Sequence, residues 1–239
     1  MAAKRGRSFS GITGIDKEKH AAPSNNAPMS VRIAILMSGR QGRGSNMQAI
    51  ARACAEGRID GVVAIVLGNQ ADSPALAKAA EMGLTALAIS SQCGEDAYAD
   101  TLQHALREAR TDLICLAGYM RKVPDAVVSA YAGRVMNIHA ALLPAFGGKG
   151  MYGLHAHQAV LDYGAKISGC TVHFVDESYD TGPIILQTAV PVEENDTAET
   201  LAARILAAEH EAYPRAVSLF AQGRLKLEGR RVRIAAEGE

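Results

Sequence analysis

The sequence predicts an α/β protein built on a single doubly wound, mostly parallel sheet, closed by a long C-terminal helix. Short apolar runs without polar alternation recur along the chain, as strands covered on both faces require, and stretches with helical spacing separate them. The chain has 239 residues of which 48% are hydrophobic, enough to bury one sizeable core. No shift of composition divides it, so one globular unit is expected.

Val31 to Met37 is the first apolar run, and Asn46 to Glu56 follows with helical spacing through Met47, Ile50, Ala51 and Cys54. Gly61 to Leu67 completes a βαβ unit. Pro74 to Met82 reads as a helix with proline in its first turn, Thr85 to Ile89 as a strand, Asp96 to Arg110 as a helix, and Leu113 to Leu116 as a fourth strand. Val135 to His139 continues the sheet. After a long loop, His155 to Tyr163 reads as a helix, then Gly169 to Val175 and Ile184 to Val190 as strands joined by the Asp176 to Pro183 loop. Thr197 to Gln222 has the spacing of a long helix, which Pro214 is expected to kink or split. Val232 to Ile234 is expected to add a small edge strand.

Residues 1–28 differ from the rest: Lys4, Arg5 and Arg7 are followed by Ser, Gly, Asn and Pro without sustained periodicity. A flexible N-terminal arm or tag is expected there, with the globular domain over 29–239. The arm lacks the apolar core of a secretory signal, Asp16 and Glu18 argue against a transit peptide, and Met29 directly precedes the first strand. Lys plus Arg and Asp plus Glu both number 25 and aromatics are 5%, so neither a basic nucleic-acid surface nor stacking platforms are advertised. Cys54, Cys93, Cys115 and Cys170 stand singly, without Cys-x-x-Cys pairing, which fits reduced thiols and a cytoplasmic protein better than disulfides or zinc. No apolar run approaches the roughly 18 residues of a membrane span.

The chemistry concentrates on Val135-Met136-Asn137-Ile138-His139. Alternate side chains share a face of a strand, so Asn137 and His139 point one way and Ile138 the other. Two polar groups buried at a strand end need partners, either neighbouring backbone or a ligand. In sheets of this kind ligands bind beyond the C-terminal ends of the strands, and three further stretches fall at that edge. Ser38 to Asn46 is a glycine-rich loop before a helix; its free amides suit a phosphate, or it is an ordinary turn with Ser45 as N-cap. It has neither Walker nor dinucleotide spacing. Gly118-Tyr119-Met120-Arg121 follows the fourth strand, where an arginine could grip an anion. Asp180, in Asp180-Thr181-Gly182-Pro183, is a turn-former that could fold back onto His139 and stabilise its charged form. The other histidines, His20, His104, His155, His157, His173 and His210, read as surface or structural; His155 and His157 lie too close to a helix start for a metal pair, and no metal site is expected.

These motifs, with their order along the chain, carry a resemblance. Gly44-Ser45-Asn46, Leu116 to Arg121, Asn137-Ile138-His139 with Leu142-Leu143-Pro144, Gly169 to Asp176, Asp180 to Gln187, and Glu209-His210 with Tyr213-Pro214 together resemble the phosphoribosylglycinamide formyltransferases of the folate-dependent formyltransferase family. The similarity runs from Val31 to Ile234. The resemblance implies a Rossmann-like fold and formyl transfer from 10-formyltetrahydrofolate to the amine of glycinamide ribonucleotide in purine synthesis, with Asn137, His139 and Asp180 as catalytic positions. It further implies that Gly44, Ser45, Asn46 and Glu209 bind the ribonucleotide, and that Met120, Arg121, Lys122 and Val123, with Asn137 and the 176–180 loop, bind the folate. The implied partners are these two small molecules, with no nucleic acid and no membrane, on a monomer or homodimer.

The sequence departs from the family pattern in four places. Gln41-Gly42-Arg43 looks inserted in the phosphate loop, Ala140-Ala141 replaces Pro-Ser after the histidine, Glu95 stands where relatives carry an arginine, and Leu206 where a polar contact is common. Two other members of the superfamily fit less well. A formyltetrahydrofolate hydrolase usually carries a regulatory domain ahead of the catalytic one, where only a short arm is expected here. A methionyl-tRNA formyltransferase needs a further C-terminal domain and a basic surface. A non-catalytic nucleotide-binding module on the same fold is the rival from another class.

Overall fold

The computed structural model describes residues 30–39, 44–90, 92 and 94–238. The N-terminal arm, the Gln41 to Arg43 stretch and Cys93 lie outside the described residues. In chain order the elements are β1 (Val31–Met37), α1 (Ser45–Ala55), β2 (Gly61–Gly68), α2 (Pro74–Glu81), β3 (Ala86–Ala88), α3 (Glu95–Glu108), β4 (Leu113–Leu116), α4 (Asp125–Ala130) and β5 (Val135–His139). They continue with α5 (Leu154–Tyr163), β6 (Ile167–Phe174), β7 (Ile184–Pro191), α6 (Ala198–Ala221), β8 (Leu225–Glu228) and β9 (Arg231–Ile234).

Seven strands form one sheet in the order β3-β2-β1-β4-β5-β6-β7. The first five are parallel; β6 runs antiparallel to β5, and β7 antiparallel to β6. The apolar runs lack polar alternation because both faces are covered. From β1, Ile33, Ile35 and Met37 enter a core with Met47 and Ile50 of α1 and Leu201 and Ile205 of α6. Ala34 and Leu36 enter the opposite core with Leu102 and Leu106 of α3 and Val127 of α4. Burying each such Ile or Leu contributes about 1.5–3 kcal/mol, which is why the pattern dictates the two-sided architecture. The chain turns outward in opposite directions from β1 and β4, leaving a crevice at their C-terminal ends.

Three details correct the sequence reading. Pro214 does not split its helix: α6 is continuous over 24 residues. The residues on both sides of the proline are packed into the core, since Ala212, Tyr213, Ala216 and Val217 are all buried. The Tyr213 hydroxyl also reaches the carbonyls of Leu116 at 3.1 Å and Met136 at 2.9 Å, tying α6 to the ends of β4 and β5. Val232 to Ile234 adds no edge to the large sheet but pairs with β8 as a separate hairpin, with Gly229 at φ 59° in the turn. The helix α4, whose six residues are too few for a periodic signal, was not anticipated.

Candidate active site

At the C-terminal end of β5, Asn137 and His139 face the same way, as the alternation requires, and His139 is 6% exposed. Antiparallel pairing sets Asn137 opposite His173 and His139 opposite Thr171. The His173 Nδ1 lies 2.8 Å from the Phe174 carbonyl and must donate to it, so in the neutral ring Nε2 is left as acceptor. Asn137 Nδ2 lies 3.2 Å from that Nε2 and donates to it, keeping its second N–H free. His173, read from the sequence as surface or structural, is buried, and the strand register brings it to Asn137.

Asp180 does fold back over the strand end. Its Oδ2 is 3.6 Å from His139 Nδ1 and its Oδ1 is 3.7 Å from His173 Nε2. Its Oδ2 also accepts from the Gly148 amide at 2.9 Å. Burial pushes this carboxyl up, but the His173 and His139 imidazoles and the Gly148 amide outweigh it and hold Asp180 below the usual carboxylate range. The loop is shaped from within, as Asp176 Oδ1 accepts from the Ser178 amide at 3.1 Å and the Thr181 hydroxyl at 2.6 Å. Gly182 is required by close approach, since a Cβ there would lie 1.8 Å from the Phe174 carbonyl oxygen.

The far side of His139 is met by the 146–148 segment. His139 Nε2 donates to the Phe146 carbonyl at 2.7 Å. Phe146 and Asp180, which meet the two ring nitrogens of His139, both have positive φ, 54° and 56°. Non-glycine residues hold that conformation at a cost and do so most often at functional sites. Below, Thr171 donates to the Ala141 carbonyl at 2.7 Å and accepts from the Leu143 amide at 3.1 Å, fixing the turn that follows His139.

Asn137, His139, His173 and Asp180 line a cavity of about 640 Å³. Met120, Arg121, Lys122 and Val123 form one wall, held by the Met120 amide donating to Ser38 Oγ. The Arg121 guanidinium lies 5.3 Å from the centre of the Tyr98 ring, and Lys122 pairs with Asp125 at 2.7 Å. Asn46 of α1 and Leu206 and Glu209 of α6 form another wall. Asn46 Nδ2 donates to Glu209 at 2.7 Å, while its Oδ1 is buried without a partner. Burial raises the Glu209 pKa above the ordinary value, with the Asn46 donation opposing it.

Of the residues singled out in the sequence, Gly44 and Ser45 do not line this cavity. Gly44, at φ 67°, is the N-cap of α1 and Ser45 is its first residue, so the hydroxyl is not the cap. Glu95 opens α3 and also stays off the cavity wall, whereas Leu206 is on it. His157 and His173, which the sequence reads as surface or structural, are both buried and both line the cavity. Among the described residues, no cluster of three or more His, Cys, Asp or Glu is placed to hold a metal ion. No helix among them is long and apolar enough to cross a membrane.

Comparison with known proteins bears on what this arrangement is for. The profile of the formyl transferase family matches residues 31–217, the whole sheet and most of α6. The chain belongs to the formyl transferase family. A phosphoribosylglycinamide formyltransferase of Escherichia coli (strain K12) is 41% identical to this formyl transferase over 199 residues, covering 82% of this chain and 90% of the relative. A solved structure of glycinamide ribonucleotide transformylase 1 from Symbiobacterium toebii aligns with TM-score 0.82 and 47% identity, covering 88% of this chain and 96% of that one. A formyltetrahydrofolate deformylase from Pseudomonas syringae pv. tomato shares the fold of this formyl transferase, with TM-score 0.77 at 21% identity, covering 87% of this chain and 66% of that one.

Proposed function

We propose that this formyl transferase passes the formyl group of 10-formyltetrahydrofolate to the amine of glycinamide ribonucleotide, as a step of de novo purine synthesis, with Asn137, His139 and Asp180 as its catalytic residues. The observation that carries this reading is that those three side chains line one cavity together with the hydrogen-bonded Asn46–Glu209 pair. The names of the Escherichia coli relative and the Symbiobacterium toebii structure support the choice of acceptor.

The attacking amine nitrogen forms a bond to the formyl carbon, and the carbonyl electron pair moves onto the formyl oxygen. The free N–H of Asn137 and an N–H of His139 stabilise that oxygen; one such donor is worth about 100- to 1,000-fold in rate. Collapse breaks the bond to the folate nitrogen, and the proton leaving the amine reaches that nitrogen through a water held by Asp180. Because His139 Nε2 already donates to the Phe146 carbonyl, the formyl oxygen takes the place of that carbonyl when the donor enters, and the glycines at 147 and 148 allow the segment to shift. Asp180 meanwhile faces the other nitrogen and holds the ring oriented while it carries both protons.

The two walls suit the two ligands. Met120 to Val123, with Asn137 and the 176–180 loop, receive the folate ring through backbone groups and apolar contact. Glu209, a buried carboxylate with a single donor, and the unpartnered Asn46 Oδ1 are completed by the ribose hydroxyls; Gly44 and Ser45, at the start of α1, meet the phosphate. The test follows loss of 10-formyltetrahydrofolate by absorbance with and without glycinamide ribonucleotide. Turnover that requires the amine is expected. Equal turnover without it would make the protein a hydrolase, and nucleotide binding without turnover would make it a binding module.

A further inference from the structure

His157 lies within the same cavity, and the chemistry above gives it no task. It stands in the first half of α5, is 5% exposed, and lines the cavity. Its Nδ1 is enclosed by protein without any hydrogen-bond partner. A proton there would be an unsatisfied buried donor, so the ring keeps its proton on Nε2, the nitrogen that is not enclosed. Burial first, and the neighbouring His139 imidazole second, push the His157 pKa below its ordinary value, so the ring is neutral at pH 7 and offers a single N–H. α5 packs against α6, and His157 shares the lining of one cavity with His139, Leu206 and Glu209.

We infer that His157 is a specificity-determining residue that donates its Nε2 hydrogen to the carbonyl oxygen of the acceptor's amide arm. The inference rests on the reading of the acceptor as glycinamide ribonucleotide. In that molecule the amide carbonyl lies between the ribose, held at Glu209, and the amine that must reach the formyl carbon beside His139. It is an acceptor with no hydrogen of its own, and it enters a wall that is otherwise apolar at Ala202, Ala203 and Leu206. A neutral donor fits the place, since a cation would be repelled by a charged His139 and a carboxylate would repel the carbonyl. A site built to hydrogen-bond a substrate group discriminates strongly against analogues that lack it.

The experiment measures Kd by calorimetry and steady-state kinetics for glycinamide ribonucleotide and for its analogue in which the amide carbonyl is replaced by methylene. The proteins are the full-length wild type, His157→Phe and His157→Gln. Wild type is expected to bind the methylene analogue about tenfold or more weakly than the parent nucleotide. His157→Phe is expected to raise KM and Kd for the parent by a similar factor, with a much smaller change in kcat at saturation, and to bind the analogue as wild type does. His157→Gln, which keeps a donor, regains most of the affinity, and binding of 10-formyltetrahydrofolate is unchanged in all three. Equal affinity of wild type for the two nucleotides would overturn the inference even if a variant failed to fold. So would an equal loss by His157→Phe toward both nucleotides. Failure of wild type to bind glycinamide ribonucleotide at all would instead remove the functional reading, and this inference with it.

Discussion

Asn137 and His173 are direct partners across the antiparallel β5–β6 pairing, and the amide of one donates to the ring of the other at 3.2 Å. The His173 ring is itself anchored by donation to the Phe174 carbonyl at 2.8 Å. A cross-strand pair therefore orients the carboxamide, with one N–H spent on His173 and the other left for the reacting oxygen. His173→Phe should lower kcat by roughly tenfold, less than Asn137→Ala, because the donor is loosened rather than lost. In the Asn137→Ala background the same change should add little. Additive losses in that double-mutant cycle would mean that His173 acts independently of Asn137.

Removing a donor outright should cost more. His139→Ala and Asn137→Ala are each expected to lower kcat by about 100-fold or more while circular dichroism stays that of the wild type. Near-normal turnover in both would eliminate the oxyanion role assigned to this pair.

The position of Asp180 depends on a glycine two residues away. Gly182→Ala would set a methyl group 1.8 Å from the Phe174 carbonyl oxygen, a clash of backbone that no rotamer relieves. The 176–182 loop must lift, carrying Asp180 away from both imidazoles. A stability loss of about 1–3 kcal/mol is expected, together with a fall in kcat approaching that of Asp180→Ala. An alanine variant with full activity would show that Asp180 need not sit where it does.

Glu209 offers a pH-dependent check. Burial raises its pKa, so its ionisation disfavours the folded state. The penalty is absent below the ordinary glutamate value of about 4.3, where folded and unfolded chains are both protonated, and complete above the folded value. Glu209→Gln should therefore melt higher than the wild type at pH 7, with the difference vanishing toward pH 4, and bind the acceptor nucleotide more weakly. A wild type more stable than the Gln variant at pH 7 would mean that the Asn46 donation at 2.7 Å outweighs the burial of the charge.

Much of this was legible along the chain because it is local. The β1, β4 and β5 boundaries follow from apolar runs, and the shared face of Asn137 and His139 follows from the two-residue period of a strand. Asp180 was reachable as a loop residue opposite a strand end. Pro214 does not split α6 because the helix propensity of one residue is a weak force beside the buried side chains around it.

The sequence by itself determined the alternating elements, the two-sided sheet, and the family to which the ordered motifs belong, since all three rest on neighbours within a few residues or on a pattern read in order. Only the tertiary structure decided that His173 meets Asn137 and that His157 lines the same cavity, that the Phe146 carbonyl meets His139, and that Gly44 rather than Ser45 caps α1. Those outcomes depend on strand register, on the packing of α5 against α6, and on backbone dihedrals. The first two are settled by contacts between segments far apart in the chain and the last two by loop and cap backbone conformation, and the periodicity of a single element carries no information about either.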